Sequence, residues 1–544
     1  MTTTQIYVEA VNGSFIQIAT DPGIAMELSD RFTFDLPEAK FMAGFRRGGR
    51  SRGTWDGKIR LYSKRNSQLP IGLLDALRHF AEERGYSFSI SSNGRSGYLW
   101  QRPWSIAETE AFGNEFPISG SNDSRITLRP DQLDAITRSI RGRRSLIVSP
   151  TASGKSAIAY SIALWQRTMV PNSRGLVLVP RVQLCQQLYS DWCQYSRLNG
   201  FDVEHQVSVI YGGRSKHETR PITISTWQSL YELPPEYFAQ FTYVIGDEAH
   251  EFKAKSLTYI MNSCVNAWDR TGLTGTLDGT VTNKMVLEGL FGPVQKIITS
   301  KELMNKGAIA KLNPIKVLLL KHPKDKCKVP KVTESDYENE IQYLIGSEER
   351  NTFITNLALS LKGNTLLLYQ RVANHGVLLH DLLKGKKKNV YLIHGGVEMD
   401  EREEIRRIVE KENDAIIVAS YGTFSTGINI RNLHNVIFGS PSKSRIRNLQ
   451  SIGRGLRIGD EKDSATLFDI ADDLRTNESG RKNFTYLHME ERLKIYIEEK
   501  FPYKMYNIQL GTVNDKEAAP KKEDSSASST KKEGQNAKFG LLKY

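Results

Sequence analysis

The sequence predicts an α/β protein, with two successive parallel-sheet domains preceded by a small α+β unit. Three observations carry this. The chain has 544 residues, which at roughly 100–200 residues per domain means three or four domains. From about Ile126 onward, short apolar runs alternate with longer helix-patterned segments, as βαβ units do. The first 118 residues show hairpin signals and a single amphipathic helix instead. With 39% hydrophobic and 25% charged residues, the chain is globular rather than disordered or fibrous.

Taken in order, residues 1–118 begin with apolar runs from Ile6 to Val11 and from Phe15 to Ala19 that flank Asn12-Gly13, a two-residue hairpin signal. Asp56-Gly57 marks a second turn before the alternating Ile59 and Leu61. Pro70 opens a helix with Leu73, Leu74, Leu77 and Phe80 on one face, stopped by Gly85. Ser119 to Ser124 reads as a linker. Residues 119–313 carry the runs SLIV (145–148), GLVLV (175–179) and YVIG (243–246). A charged stretch from Lys321 to Lys331 interrupts the pattern. It resumes over residues 314–514 with TLLLY (365–369), NVYLI (389–393), AIIVA (415–419), NVIF (435–438) and ATLF (465–468). Residues 515–544 are Lys-, Glu- and Ser-rich and are expected to be a disordered tail. Its closing KFGLLKY is either a partner-docking peptide or a bland end.

Composition narrows the function classes. Four cysteines (Cys185, Cys193, Cys264, Cys327) are too few and scattered for a disulfide framework, and none forms a CxxC metal pair. The start lacks the pattern of a signal peptide, and no apolar run approaches the ~18 residues of a membrane span. A cytoplasmic protein is expected. Lys and Arg total 74 against 61 Asp and Glu, a net charge of +13. That suggests a polyanionic partner, nucleic acid first, with a plain solubility charge as the alternative.

The sharpest chemical signal is Ser149-Pro150-Thr151-Ala152-Ser153-Gly154-Lys155-Ser156, which follows the strand SLIV and opens a helix. Small residues let backbone N–H groups converge on phosphate oxygens at a helix N-terminus. Lys155 would reach the β- and γ-phosphates and Ser156 would bind Mg²⁺. Ser149 departs from the pattern, which has Gly at that position. Asp247-Glu248-Ala249-His250 follows a second strand, YVIG. Asp247 would hold Mg²⁺ and Glu248 would act as general base. An acidic surface turn is the bland reading of that pair alone, but with a phosphate loop upstream the two predict NTP hydrolysis. In Gln450-Ser451-Ile452-Gly453-Arg454-Gly455-Leu456-Arg457, the two arginines are three apart and so share a helix face. An arginine delivered across a cleft to a γ-phosphate contributes ~10³–10⁵ in rate.

Together these residues resemble the superfamily-two helicases and translocases of DEAH type, and further segments fall in that family's order. Leu128-Arg129-Pro130-Asp131-Gln132 resembles the adenine-reading motif, which implies Arg129 and Gln132 at the nucleotide. Val179-Pro180-Arg181 and Ser225-Thr226-Trp227-Gln228 resemble strand-contacting motifs, implying Arg181 and Thr226 on nucleic acid. Leu273-Thr274-Gly275-Thr276 stands where the family couples hydrolysis to domain movement, implying coupling roles for Thr274, Thr276 and His250. Ser425-Thr426-Gly427-Ile428-Asn429 resembles the motif touching ribose and nucleic-acid backbone, implying Gly427 and Asn429 at the nucleotide and Thr423 on the strand. Gln450, Arg454 and Arg457 are implied catalytic residues beside Lys155 and Glu248. The resemblance spans about residues 126–475 and implies two RecA-like domains with ATP and Mg²⁺ in their cleft and a strand across their top.

The N-terminal unit refines the substrate. Eight basic residues (Arg46, Arg47, Arg50, Arg52, Lys58, Arg60, Lys64, Arg65) and one acid, Asp56, fall within 20 residues, interleaved with glycines and Trp55. Such a loop suits a duplex phosphate backbone; a solvated basic loop is the alternative. GTWDGKIRLY and LPIGLLDALRHF also resemble the N-terminal region of the UvsW helicases of T-even bacteriophages. That resemblance implies remodelling of forks, Holliday junctions and R-loops in recombination, repair and replication. It further implies RNA–DNA hybrids among the partners, a host-cell cytoplasmic location, and a replication or recombination protein as partner of the tail. Three other readings stay open: an RNA helicase, the motor subunit of a restriction system, and a strand-annealing protein whose release ATP modulates.

Overall fold

The structure is a computed structural model that describes residues 5–36, 39, 55–212, 220–323, 334–387, 389–427, 430, 432–456, 462–475 and 480–511. The N-terminal unit is built on a four-stranded sheet in the order Gln68–Pro70, Phe15–Ala19, Gln5–Ala10, Ser87–Ile90. Gln5–Ala10 alternates exposed and buried residues, and its inward face (Ile6, Val8) joins Ile16, Ile18, Leu77 and Phe80 in one core. Asp21 caps the helix Pro22–Arg31, its carboxylate accepting from Ile24 N. That helix is not among those expected; the one that is runs Leu74–Arg84 after a short 3₁₀ turn, Ile71–Leu73. It ends at Gly85, whose φ of +70° is the left-handed conformation that favours glycine.

The first hairpin pairs as expected, Tyr7 opposite Ala19 and Ala10 opposite Ile16, but its loop is four residues long rather than two. Asn12 Oδ1 accepts from Ser14 N and Phe15 N, which holds the wider loop. The tip is not solvent-facing. Gly13 N donates to Val265 O at 2.6 Å, and a Cβ on Gly13 would stand 2.6 Å from Ala267 O. Glycine is needed there for close approach to the next domain. The expected linker is also structured: Ile118–Ser119 pairs antiparallel with Arg125–Ile126, so Ser119 to Ser124 spans a tight hairpin. Residues ahead of it already pack on the first α/β domain, with Arg102 bidentate on Asp269 (2.7 Å for both contacts) and Trp104 edge-on to Trp165.

That domain has a seven-stranded sheet in the order Val207–Ile210, Ile222–Thr226, Gly175–Val179, Tyr243–Asp247, Asp269–Thr274, Arg144–Val148, Val294–Lys296, with every pairing parallel. Its strands read as near-continuous apolar runs because both faces are covered by helices. The second α/β domain repeats the architecture in the order Val390–Ile393, Ile416–Ser420, Thr365–Tyr369, Asn435–Phe438, Ser464–Asp473, Ile315–Lys321, Tyr503–Gln509, again parallel. Buried ion pairs Arg350–Asp472 and Arg492–Asp469 lock its covering helices to the strand Ser464–Asp473. In both domains the predicted motifs begin where strands end, at Val148, Val179, Thr226, Asp247, Thr274 and Ser420. Ligands of parallel sheets bind at that edge.

Candidate active site and nucleic-acid interface

The phosphate-binding loop follows directly from strand register. Val148 pairs with Thr274, and Leu273 with Asp247, so the loop after Val148, the Thr274-Gly275-Thr276 turn and the acidic pair sit side by side. Ser149 N donates to Thr274 O (2.9 Å), which fixes the first residue of the loop. Ala152 (φ +66°) and Gly154 (φ +84°) curl the chain, and Lys155 opens the long buried helix Lys155–Met169. Lys155 Nζ donates to Ser149 O and Pro150 O at 3.1 and 3.0 Å, inside the curve of the loop. Pro150, Thr151 and Ser153 complete the wall; Ser153 is fully buried.

Arg129 and Gln132, the two residues expected to read the adenine, both touch the phosphate loop. Gln132 Nε2 donates to Ser153 O (3.1 Å) and its Oε1 accepts from Arg129 N (2.9 Å), which leaves a second amide hydrogen and a second oxygen lone pair for an adenine edge. Arg129 Nη2 also donates to Ser153 O (2.6 Å) and pairs with Asp131. The pair therefore braces the phosphate loop from behind. A Cβ on Gly154 would meet Gln132 Nε2 at 2.2 Å, which shows how tight that brace is. Ser156 Oγ donates to Asp191 Oδ2 (2.8 Å), a residue of the helix Val182–Tyr195 that no sequence signal singled out.

Asp247 ends its strand and Glu248 follows with φ +49° and ψ +49°, an αL conformation rare for a side-chain-bearing residue. Burial, together with the Glu248 charge beside it, pushes the Asp247 carboxyl up to about 6 against the opposing pull of Lys155. Glu248 Oε2 is buried with no hydrogen-bond partner among the described residues, and His250 Nδ1 lies 3.4 Å away. The same nitrogen meets Thr274 Oγ1 at 3.0 Å, and Thr274 Oγ1 in turn contacts the Thr276 backbone. Burial pushes the His250 imidazole down, toward the neutral form. The three expected coupling residues are thus in one hydrogen-bonded string.

The second domain closes the site. Gln450 and Arg454 lie on the helix Arg445–Gly455, and a Cβ on Gly453 would stand 2.7 Å from Thr151 Cβ, so this helix rests on the phosphate loop. Ala152 packs against the second domain's core. Arg454 is half-buried, and burial lowers its guanidinium's pKa while the Glu248 charge works the other way. Arg457 and Asn429 lie outside the described residues; Gly427 closes the helix Tyr421–Gly427.

Above this site a cleft of ≈ 1000 Å³ runs between the domains, lined by Arg181, Thr226, Gln228, Arg402, Ser420 and Thr423 among others. It brings together the three predicted strand contacts of the motor domains, two from the first domain and Thr423 from the second. Thr423 is held by Ser420 Oγ (2.8 Å) and Thr226 by Ser229 (2.9 Å). Arg402 was not legible: it sits in the charge run MDEREEIRR, which reads as a solvated helix face.

Sequence and structure comparisons fit this geometry. The chain is 31% identical over 514 residues to the ATP-dependent DNA helicase uvsW of Enterobacteria phage T4, covering 91% of this chain and 98% of the relative. It belongs to the UvsW family of DNA helicases. Residues 5–91 match the family described as DNA helicase UvsW, N-terminal; residues 125–279 match the type III restriction enzyme res subunit, and 349–459 the helicase conserved C-terminal domain. The crystal structure of T4 UvsW is 29% identical, over 93% of this chain and 99% of that one, with a TM-score of 0.49. The type ISP restriction-modification enzyme LlaBIII, solved bound to DNA, shares the fold at TM-score 0.52 and 16% identity over 81% of this chain and 36% of its own. As a UvsW-type helicase the chain hydrolyses ATP and acts on DNA. No helix among the described residues is long and apolar enough to cross a membrane.

The UvsW N-terminal match covers the basic hairpin. Its described part is the two-stranded pair Thr33–Asp35 and Lys58–Arg60. Arg60, half-exposed, lies bidentate on Asp56, whose carboxyl it holds down to about 2. Lys58 Nζ stands 4.0 Å from Asp35. Trp55 Nε1 donates to Lys58 O, which turns the indole onto the hairpin. Arg46, Arg47, Arg50 and Arg52, like the tail over 515–544, fall outside the described residues.

Proposed function

We propose that this helicase remodels branched DNA (forks, four-way junctions and R-loops) by tracking one strand through the interdomain cleft while the basic hairpin of the N-terminal unit grips duplex. The observation that carries this reading is the docking of the N-terminal unit. Ser14 Oγ, at the tip of the first hairpin (Gln5–Ala10 with Phe15–Ala19), donates to Met261 O and Asn262 O, and Arg270 Nη2 donates to Ser14 Oγ at 2.8 Å. Arg144 Nη2 donates to Gly13 O. A duplex-gripping arm fixed to the first motor domain stays in register with the strand path, and a substrate that fills both must present duplex and single strand together.

In this reading the phosphate loop from Pro150 to Ser156 cradles the phosphates with Lys155 on the β- and γ-phosphates, and Gly427 and Asn429 border the ribose. Glu248 Oε2, buried and without a hydrogen-bond partner among the described residues, takes the proton of the attacking water. Gln450, Arg454 and Arg457 meet the γ-phosphate from the second domain. Mg²⁺ would be held by Asp247 and, after its hydroxyl turns from Asp191, by Ser156. A buried carboxylate pushed up to about 6 beside a second one suits a divalent cation. Bound there, the ion neutralises phosphate charge. His250, Thr274 and Thr276 pass the state of the acidic pair to the loop after the sheet. Arg181, Thr226 and Thr423 hold the strand, and Arg46, Arg47, Arg50, Arg52, Trp55, Lys58 and Arg60 the duplex.

ATPase stimulation measured side by side on a fork, a four-way junction, an RNA–DNA hybrid, single-stranded DNA and RNA tests the reading. Branched DNA is expected to stimulate most. Equal stimulation by plain single strands would remove the need for a duplex grip, and stimulation by RNA alone would favour an RNA helicase.

A further inference from the structure

The helix Val281–Phe291 touches both the turn that follows the acidic pair, Ala249–Lys253, and the N-terminal unit. Its start is tied to the turn after the DEAH box through Asp278. Asp278 Oδ2 accepts from Lys253 Nζ (2.8 Å), which ends that turn, and from Asn283 Nδ2 (2.6 Å) on the helix. Asp278 Oδ1 accepts from the N–H and Oγ1 of Thr280, at 3.0 and 2.9 Å. The far end is tied to the same turn by Phe291, edge-on to Phe252 with ring centroids 5.0 Å apart.

The opposite face of the helix meets the N-terminal unit. Thr282, itself buried, donates through Oγ1 to Asp35 O at 3.0 Å. Asp35 is the residue of the hairpin paired opposite Lys58. Farther along, a Cβ on Gly72 would lie 2.0 Å from Glu288 O, and one on Gly289 would meet Pro70 at 3.1 Å. Helix and N-terminal unit therefore interlock at backbone contact: hydrogen bonds hold the start of the helix, and ring and backbone packing hold its far end.

We propose that the helix Val281–Phe291 is a beam linking the DEAH box to the basic hairpin, with Asp278 as the positioning residue that pins it to the ATP-site turn and Thr282 as its attachment to the hairpin strand. Duplex engaged at the hairpin acts on ATP hydrolysis through the beam, in addition to any strand in the interdomain cleft. Burial works to raise the Asp278 carboxyl, yet the hydrogen bonds from Lys253, Thr280 and Asn283 hold it below its ordinary value, so the pin is charged at neutral pH. The proposal rests on the hairpin being a duplex contact.

The test uses the full chain, with Asp278→Asn to weaken the Lys253 pairing, Thr282→Val to delete the hairpin bond at nearly constant volume, and neutralisation of the basic hairpin (Arg46, Arg47, Arg50, Arg52 and Lys58 to Ala) as reference. Three quantities are read: ATPase without DNA, affinity for a four-way junction, and stimulation of ATPase by that junction at saturation. Both single variants are expected to keep DNA-free ATPase and junction affinity within about twofold and to lose about tenfold in stimulation. Combining Lys253→Ala with Asp278→Asn should cost no more than Asp278→Asn alone. If Asp278→Asn and Thr282→Val are stimulated as strongly as wild type while the neutralised hairpin is not, the beam is wrong and the duplex grip stands. If the neutralised hairpin keeps both affinity and stimulation, the duplex grip fails and the beam loses its input.

Discussion

Glu248 concentrates several costs in one residue. Its backbone is left-handed without being glycine, its Oε2 is buried, and its neighbour Asp247 carries a raised carboxyl pKa. A left-handed backbone costs roughly 1–2 kcal/mol, and with the buried oxygen it persists because strand register and the 3₁₀ turn Ala249–Lys253 over-determine the position. Glu248→Gln removes the base while keeping size and hydrogen-bonding capacity. ATP binding is expected to survive and hydrolysis to slow ~10²–10⁴-fold. Turnover within a few-fold of wild type would remove Glu248 from the chemistry. Lys462 offers a pH readout at the same scale. Burial pushes its amine down to about 7, and its Nζ donates to Gly455 O at the end of the helix that carries Arg454. A lysine titrates at about 10.4 when unfolded. The unfolded chain therefore holds the proton more tightly between those values, and Lys462 subtracts stability as pH falls from about 10 to about 7. Stability relative to Lys462→Met, measured by urea unfolding, should fall as pH is lowered from about 10 to about 7 and stay flat below about 7. A constant difference would contradict a lysine titrating near neutrality.

At the scale of elements, the apolar strands were legible because parallel strands covered on both faces must be apolar along their length, as Leu176, Val177 and Leu178 are. Motifs at strand ends were legible for the same reason, since the edge of such a sheet is where loops can carry chemistry. Partners distant in sequence were not legible. Nothing local says that Gly13 lies on Ala267, that Gln132 braces Ser153, or that Asp191 takes the Ser156 hydroxyl. Arg144 and Arg270 read as ordinary basic residues, yet the half-buried Arg144 and the buried Arg270 both donate to backbone oxygens around the docked hairpin tip. Burial pushes Arg270 down to about 10. Because the docking contacts are backbone to backbone, Gly13→Ala and Gly72→Ala should each cost about 1–3 kcal/mol by overpacking. Gly94→Ala, where a Cβ meets nothing within 4 Å, should be nearly neutral in the same urea titration. Equal stabilities for all three would mean that the N-terminal unit is not seated as described.

At the scale of the whole molecule, charge and cleft describe one working surface. The net +13 is greatest in the two motor domains, +6 over 119–313 and +4 over 314–514, while residues 1–118 carry +1 and concentrate their basic residues in one hairpin. Arg181 and Arg402 face the same cleft from opposite domains, so closing the domains changes the grip on whatever lies between. Beneath it, Gly453 against Thr151 and Arg454 near Glu248 make closure depend on the contents of the phosphate loop. The claim that ATP turnover in this cleft drives strand movement is tested most directly by unwinding of a four-way junction by wild type and Lys155→Ala, with junction binding measured alongside. The variant is predicted to bind the junction as wild type does and to unwind no faster than a sample without ATP. Unwinding by Lys155→Ala at the wild-type rate would contradict the account.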